Sequence, residues 1–144
     1  MKHYKIGFVC GFFDILHEGH INILSQAKGM CDYLIVGVGT DDFMIRRKNR
    51  ESILSYKQRV SVVSSIRYVD EVVPEENLDK IAAYKKYHFD VMFAGSDHEN
   101  EQIYIEAEKT LKKFGVDTIY ISRINDTSST KLRKRVVEVE SLSK

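Results

Sequence analysis

Five short apolar runs separated by stretches of helical spacing restrict this chain more than any other feature. Tyr4 to Cys10 and Tyr33 to Gly39 are rich in Val and Ile and bounded by Gly or Asp, as suits strands buried on both faces. Val69 to Val73, Val91 to Ala94 and Asp117 to Ile121 repeat the pattern. Between them, Ile21, Leu24 and Ala27 mark a first helix and Val60, Val63 and Ile66 a second. Ile81 and Tyr84 mark a third, and Ile105, Glu108 and Leu111 a fourth with a mixed face. The alternation predicts an α/β fold: one doubly wound domain on a five-stranded parallel sheet, with ligands at the carboxyl ends of the strands. A charged helix from Ser128 to about Val139 should close the chain, its last few residues frayed.

Size supports a single unit. At 144 residues and 43% apolar, the chain is long enough for one core and too short for two ordinary ones. One proline and no Gly/Ser-rich stretch leave no linker, so residues 1–144 are taken as one domain. A net charge of +1 gives no field to gather nucleic acid or coat a membrane, so a bound anion must be held locally. With two cysteines, no secretory segment and no apolar run near ~18 residues, the expected location is the cytoplasm.

The run G-F-F-D-I-L-H-E-G-H, Gly11 to His20, follows the first strand directly and opens the first helix. Backbone N–H groups and the positive end of the helix dipole converge at such a junction, which prepares it for phosphate. His17 and His20 are three apart, so a helix beginning near Glu18 lets both imidazoles face one side. Gly11 would permit a tight turn and Gly19 a close approach of a triphosphate to the backbone. A cap or a surface pair is the plain alternative for the two histidines.

The same run resembles the G-x-F-D-x-x-H-x-G-H pattern of the cytidylyltransferase-like nucleotidyltransferases, and every defined position matches. The resemblance implies a Rossmann-like nucleotidyltransferase fold. It also implies that His17 and His20 bind the triphosphate and stabilise the departing pyrophosphate. Phe12 and Phe13 would lie along the nucleotide, with Asp14 fixing the loop.

After the last strand comes R-I-N-D-T-S-S-T-K, Arg123 to Lys131. Thr127, Ser128, Ser129 and Thr130 could bind further phosphate oxygens or merely cap a helix. Glycerol-phosphate and choline-phosphate cytidylyltransferases carry a similar R-T-E-G-I-S-T-T-K. Arg123, Ser128, Thr130 and Lys131 match it, whereas residues 124–127 differ. In the basic run Arg46 to Arg50, Lys48 is the preferred ligand of an acceptor phosphate, with Arg47 and Arg50 as rivals. A solvated face is the alternative. Ser65 to Glu75 resembles the same family and implies a subunit contact and an arginine near the site, Arg67, although that charge could simply complement a helix end. Lys80 is a weaker acceptor ligand. Gly95-Ser96-Asp97-His98 resembles the family's G-D-D-W and keeps Gly95 and Asp97, the latter for the nucleotide; His98 is expected at the surface.

The implied reaction is attack by an acceptor phosphate on the α-phosphorus of a nucleoside triphosphate. The nucleophile is already anionic, so positioning and charge neutralisation by His17, His20, Lys48 and Arg123 would suffice, with Mg²⁺ held mainly through the phosphates. CTP and glycerol 3-phosphate are the expected substrates and a homodimer the expected assembly. An adenylyltransferase, another sugar or alcohol phosphate, or a nucleotide sensor without turnover are the alternatives. The dinucleotide G-x-G-x-x-G and the G-x-x-x-x-G-K phosphate loop are both missing from the sequence.

Overall fold

The computed structural model describes residues 3–122 and 129–143. Its centre is a five-stranded sheet in which all pairings are parallel, ordered β3-β2-β1-β4-β5. The strands are β1 (Tyr4–Gly11), β2 (Cys31–Gly39), β3 (Glu71–Glu75), β4 (Val91–Gly95) and β5 (Asp117–Ile121). Among the described residues, six α-helices connect and follow them: α1 (Glu18–Gly29), α2 (Asp41–Lys48), α3 (Tyr56–Ser64), α4 (Lys80–Tyr87), α5 (Gln102–Lys113) and α6 (Ser129–Ser143).

Strand pleating divides the core in two. On one face, Leu24 and Ala27 of α1 and Val63 of α3 pack with Val9, Val36, Val38 and Phe93. On the other, Tyr84 of α4 and Tyr104 and Leu111 of α5 pack with Phe8, Ile35, Met92 and Ala94. Phe8 and Val9 therefore belong to opposite clusters, and Cys10 lies on the α4/α5 side with Phe8, as a two-residue period requires. Strand order reverses at β1, whose neighbours are β2 and β4. That switch point opens a crevice above the carboxyl ends of the strands.

Two elements depart from the sequence reading. The third strand begins and ends two residues later than Val69 to Val73, because Asp70 closes a turn in which its carboxylate accepts the Leu34 N–H and the Lys28 ammonium. Pro74 does not end it: β3 is an edge strand, where a missing donor is tolerated. The basic run Arg46 to Arg50 also begins inside a helix, α2, that the apolar periodicity does not announce. Phe43 and Met44 are its buried residues, too few for a periodic signal. Its ends are well specified instead: Thr40 caps Phe43 N–H, Asp41 and Asp42 occupy the first turn, and Arg46, Arg47 and Lys48 the last. The final helix runs to Ser143, past the expected end at Val139.

Candidate active site

A cleft of about 740 Å³ lies at the carboxyl ends of β1, β3 and β4. The turn between β1 and α1 forms one side. His17 is the N-cap of α1, and its Nδ1 accepts the Gly19 N–H at 3.0 Å. His20 Nδ1 in turn accepts the His17 N–H at 3.2 Å, completing a capping box made of two imidazoles. Their ring centroids are 4.0 Å apart. An Nδ1 that accepts must carry no proton, so each neutral ring bears its proton on Nε2. Both histidines line the cleft, and the His17 Nε2 is buried in its wall.

Three backbone amides of the α1 turn, read from the sequence as open to phosphate, are already engaged. The Gly19 amide is spent on His17 Nδ1, and those of His20 and Ile21 on the His17 carbonyl. Gly19 is buried and does not line the cleft. The tight conformation also falls elsewhere than at Gly11: Phe13 adopts φ +52°, left-handed backbone costing roughly 1–2 kcal/mol for a side chain of this kind. Its buried ring packs beside His20 at 5.2 Å, and a Cβ on Gly11 would sit 3.2 Å from it. Gly11 is there to admit Phe13.

Asp14 is only 2% exposed and holds the loop as expected. Its oxygens accept the Ile53 N–H at 3.0 Å, the Leu54 N–H at 2.9 Å and the Arg133 guanidinium of α6, with Arg50 at 3.7 Å. Burial pushes its carboxyl up, but these donors outweigh burial and hold it below the usual carboxylate range. Phe12 lays its ring against Gly39, where any Cβ would come within 2.4 Å, and Lys48 Nζ sits 5.6 Å above that ring.

Lys48, Arg47 and Arg50 all line the cleft, while Arg46 is turned to Asp42 and the Glu76 carbonyl. The left-handed Asn49 between Lys48 and Arg50, φ +54°, reverses the chain so that residues on either side of it reach the same space. Burial and then the Arg50, Arg133 and Arg47 charges lower the Lys48 ammonium below its ordinary value, against a smaller pull from Asp97. Arg50 is lowered by burial and Arg133 in the same way. The cations repel one another, and a bound anion would relieve them.

Lys80 and Asp97 also line the cleft. A Cβ on Gly95 would meet Asp97 Oδ1 at 2.5 Å, so the glycine makes room for the carboxylate. Lys80 is not a free cation: its Nζ is 2.8 Å from Glu75 and 2.8 Å from Cys10 Sγ. Burial works against the Lys80 charge, but the Cys10 sulfur and the Glu75 carboxylate more than offset it and raise its pKa. Burial likewise pushes the Cys10 thiol up to about 12 against the pull of Lys80. Arg67 does not come to the cleft. It is exposed, precedes the amino end of β3, and stacks on Tyr68 with its guanidinium 2.7 Å from the hydroxyl. Arg123, Thr127 and Ser128 lie outside the described residues; Ser129 and Thr130 begin α6.

Arg59 and Arg133 have parts here that the sequence did not disclose. Arg59 of α3 is fully buried, and it donates to the carbonyls of Phe12 (2.8 Å), Gly39 (2.6 Å) and Leu54 (3.0 Å) and to Asp41 (2.7 Å). One guanidinium thus ties the ends of β1 and β2 to the loop that follows α2. Nothing in the surrounding K-Q-R-V run distinguishes such a residue from a solvated helical charge.

Comparison with known proteins agrees with this architecture. The profile of the cytidylyltransferase-like family matches residues 8–135. The glycerol-3-phosphate cytidylyltransferase of Bacillus subtilis is 34% identical over 127 residues, 88% of this chain and 92% of that protein. The FAD synthase of Korarchaeum cryptofilum is 33% identical over 91% of this chain and 90% of its own. Among solved structures, a lipopolysaccharide core biosynthesis protein from Thermoplasma volcanium superposes with TM-score 0.72 at 25% identity, over 85% of this chain and 99% of its own. With the paired imidazoles, the cationic cleft and this extent of similarity, the chain belongs to the cytidylyltransferase-like family and is a nucleotidyltransferase.

Proposed function

We propose that the enzyme couples CTP to glycerol 3-phosphate, releasing pyrophosphate and forming a CDP-alcohol. The observation that carries the chemistry is the imidazole capping box, which orients both rings, each neutral ring with its proton on Nε2, in the wall of a cleft that also holds Lys48, Arg47 and Arg50. An acceptor phosphate oxygen attacks the α-phosphorus and the bond to pyrophosphate breaks. His17 and His20 hydrogen-bond the triphosphate and gain strength as negative charge builds on the leaving group. Lys48 holds the acceptor phosphate in line, and Arg123 with Ser129 and Thr130 holds the triphosphate. Because the nucleophile enters as an anion, no side chain has to remove a proton. Mg²⁺ supplies further charge neutralisation when bound. Both oxygens of Asp14 are already engaged by amides and arginine, which fits an ion carried in on the triphosphate.

The similarity to glycerol-3-phosphate cytidylyltransferases supports the choice of substrates. The comparable similarity to an FAD synthase favours, as the second reading, an adenylyltransferase acting on another phosphorylated alcohol. A matrix of nucleoside triphosphates against phosphorylated acceptors, read by pyrophosphate release, decides between them. Highest kcat/KM for CTP with glycerol 3-phosphate is expected. Turnover confined to ATP, or to another acceptor, would replace the pair.

A further inference from the structure

The two sides of the cleft differ in a way that bears on the acceptor. One side carries cations in mutual repulsion, Lys48 with Arg50 and Arg133, and calls for phosphate. On the other side the cation is already neutralised. Lys80 Nζ lies 2.8 Å from Glu75 Oε2, with side-chain exposures of only 3% and 10%. A second phosphate placed here would find no uncompensated charge on Lys80. Yet Glu75 faces the cleft, and its Oε1 is not the oxygen bound to Lys80. Removing an ion pair from water costs several kcal/mol per ion, and apolar residues often replace such a pair without loss. A buried pair at the floor of a binding cleft is therefore better explained by what it presents than by stability.

Its surroundings indicate what that is. Tyr104 lies 5.5 Å from Lys80 Nζ and stacks on His98, whose Nδ1 is 3.0 Å from Glu101. The side thus carries two carboxylates beside the buried Tyr104 ring, suited to accept hydrogen bonds from hydroxyls and to repel a carboxylate or a second phosphate. Resting on the transferase reading above, we infer that Glu75, positioned by Lys80, selects the acceptor by accepting hydrogen bonds from its hydroxyl groups. Lys80 is then a positioning residue for that carboxylate rather than a ligand of the acceptor phosphate.

The test compares polyol phosphates with alkyl phosphates of equal length: glycerol 3-phosphate against propyl phosphate, and ribitol 5-phosphate against pentyl phosphate. The wild-type protein should favour the better polyol of the two by roughly 10- to 100-fold in kcat/KM, the range for hydrogen bonds to a charged group. Glu75→Gln should bring that ratio to within a few-fold of one by raising KM for the polyol, while the dissociation constant for CTP stays within a few-fold. A merely structural role would weaken both acceptors alike and leave the ratio unchanged, which would overturn the inference. So would a wild-type protein that uses propyl or pentyl phosphate equally well. Where Glu75→Gln fails to fold, Glu75→Gln/Lys80→Met, which also removes the unpaired charge, carries the same expectation. If no triphosphate and acceptor release pyrophosphate, the transferase reading fails by itself. Calorimetric titration of the same acceptor pairs into the CTP-loaded wild-type and Glu75→Gln proteins then decides the role of Glu75 independently.

Discussion

His20→Ala removes two different things, and the geometry allows each to be measured separately. His20 Nδ1 accepts the N-cap amide of His17, and its ring lines the cleft, where the proposed mechanism uses its Nε2–H as a donor. Loss of a cap acceptor costs about 1 kcal/mol of stability. Loss of one donor aimed at developing charge costs roughly 10²- to 10³-fold in turnover, or about 2.7–4 kcal/mol of transition-state stabilisation. His20→Gln separates the terms, because glutamine at the third helical position is a natural capping-box acceptor. The alanine variant should therefore melt lower than the glutamine variant, while both lose turnover by roughly 10²-fold or more. Melting by circular dichroism gives the first difference and pyrophosphate release at saturating substrates the second. A folded His20→Ala protein with near-normal kcat would refute the reasoning. Equal loss of stability in both variants would refute the capping role alone.

Arg59→Met should destabilise the protein by roughly 3–5 kcal/mol in urea, because it leaves three carbonyls and Asp41 without their shared donor. Arg59→Lys should recover only part of this, since an ammonium cannot reproduce the planar fork. Lys48→Ala should raise KM for the acceptor roughly 10- to 100-fold and leave the affinity for CTP, titrated alone, within a few-fold. The reverse pattern would move the acceptor contact to Arg47 or Arg50. Asp14 is held below its ordinary pKa of 3.8, so the stability it lends is present above that pH and is lost as pH falls through the lower folded value. Asp14→Asn should accordingly flatten the acid limb of a stability-against-pH curve, and an unchanged limb would contradict the assignment.

Much of this was legible in the sequence because it is written in local periodicity and in a contiguous motif. The five strands are apolar runs near the positions read for them, and His17 and His20 sit at the N-cap and in the first turn of the helix that Ile21, Leu24 and Ala27 marked. What was not legible depends on distant partners. Lys80 reads as an available cation until the fold sets it against Glu75 and Cys10. Arg59 and Arg133 carry no local signal, because the groups they hold, the Phe12 and Gly39 carbonyls and the Asp14 carboxylate, lie far along the chain. Gly19 reads as a place for phosphate because the sequence does not say that the His17 imidazole will take up its amide.

The arrangement of supports explains why the cleft can keep repelling cations close together. Lys48, Arg50 and Arg133 would separate if their backbones could move. Each is instead anchored: Lys48 by the capped α2, Arg50 and Arg133 by a buried carboxylate that also grips the Ile53 and Leu54 amides. Arg59 fixes the same region from below, and Phe13 remains in left-handed backbone because its ring is packed against the core and beside His20. Repulsion and strain thus reside in a frame held by buried hydrogen bonds, so the groups facing a triphosphate are placed before it arrives. Interactions that need no reorganisation act with most effect on charge that develops during the reaction. The cost is borne by the empty protein, and ligand anions reduce it by neutralising the repelling wall.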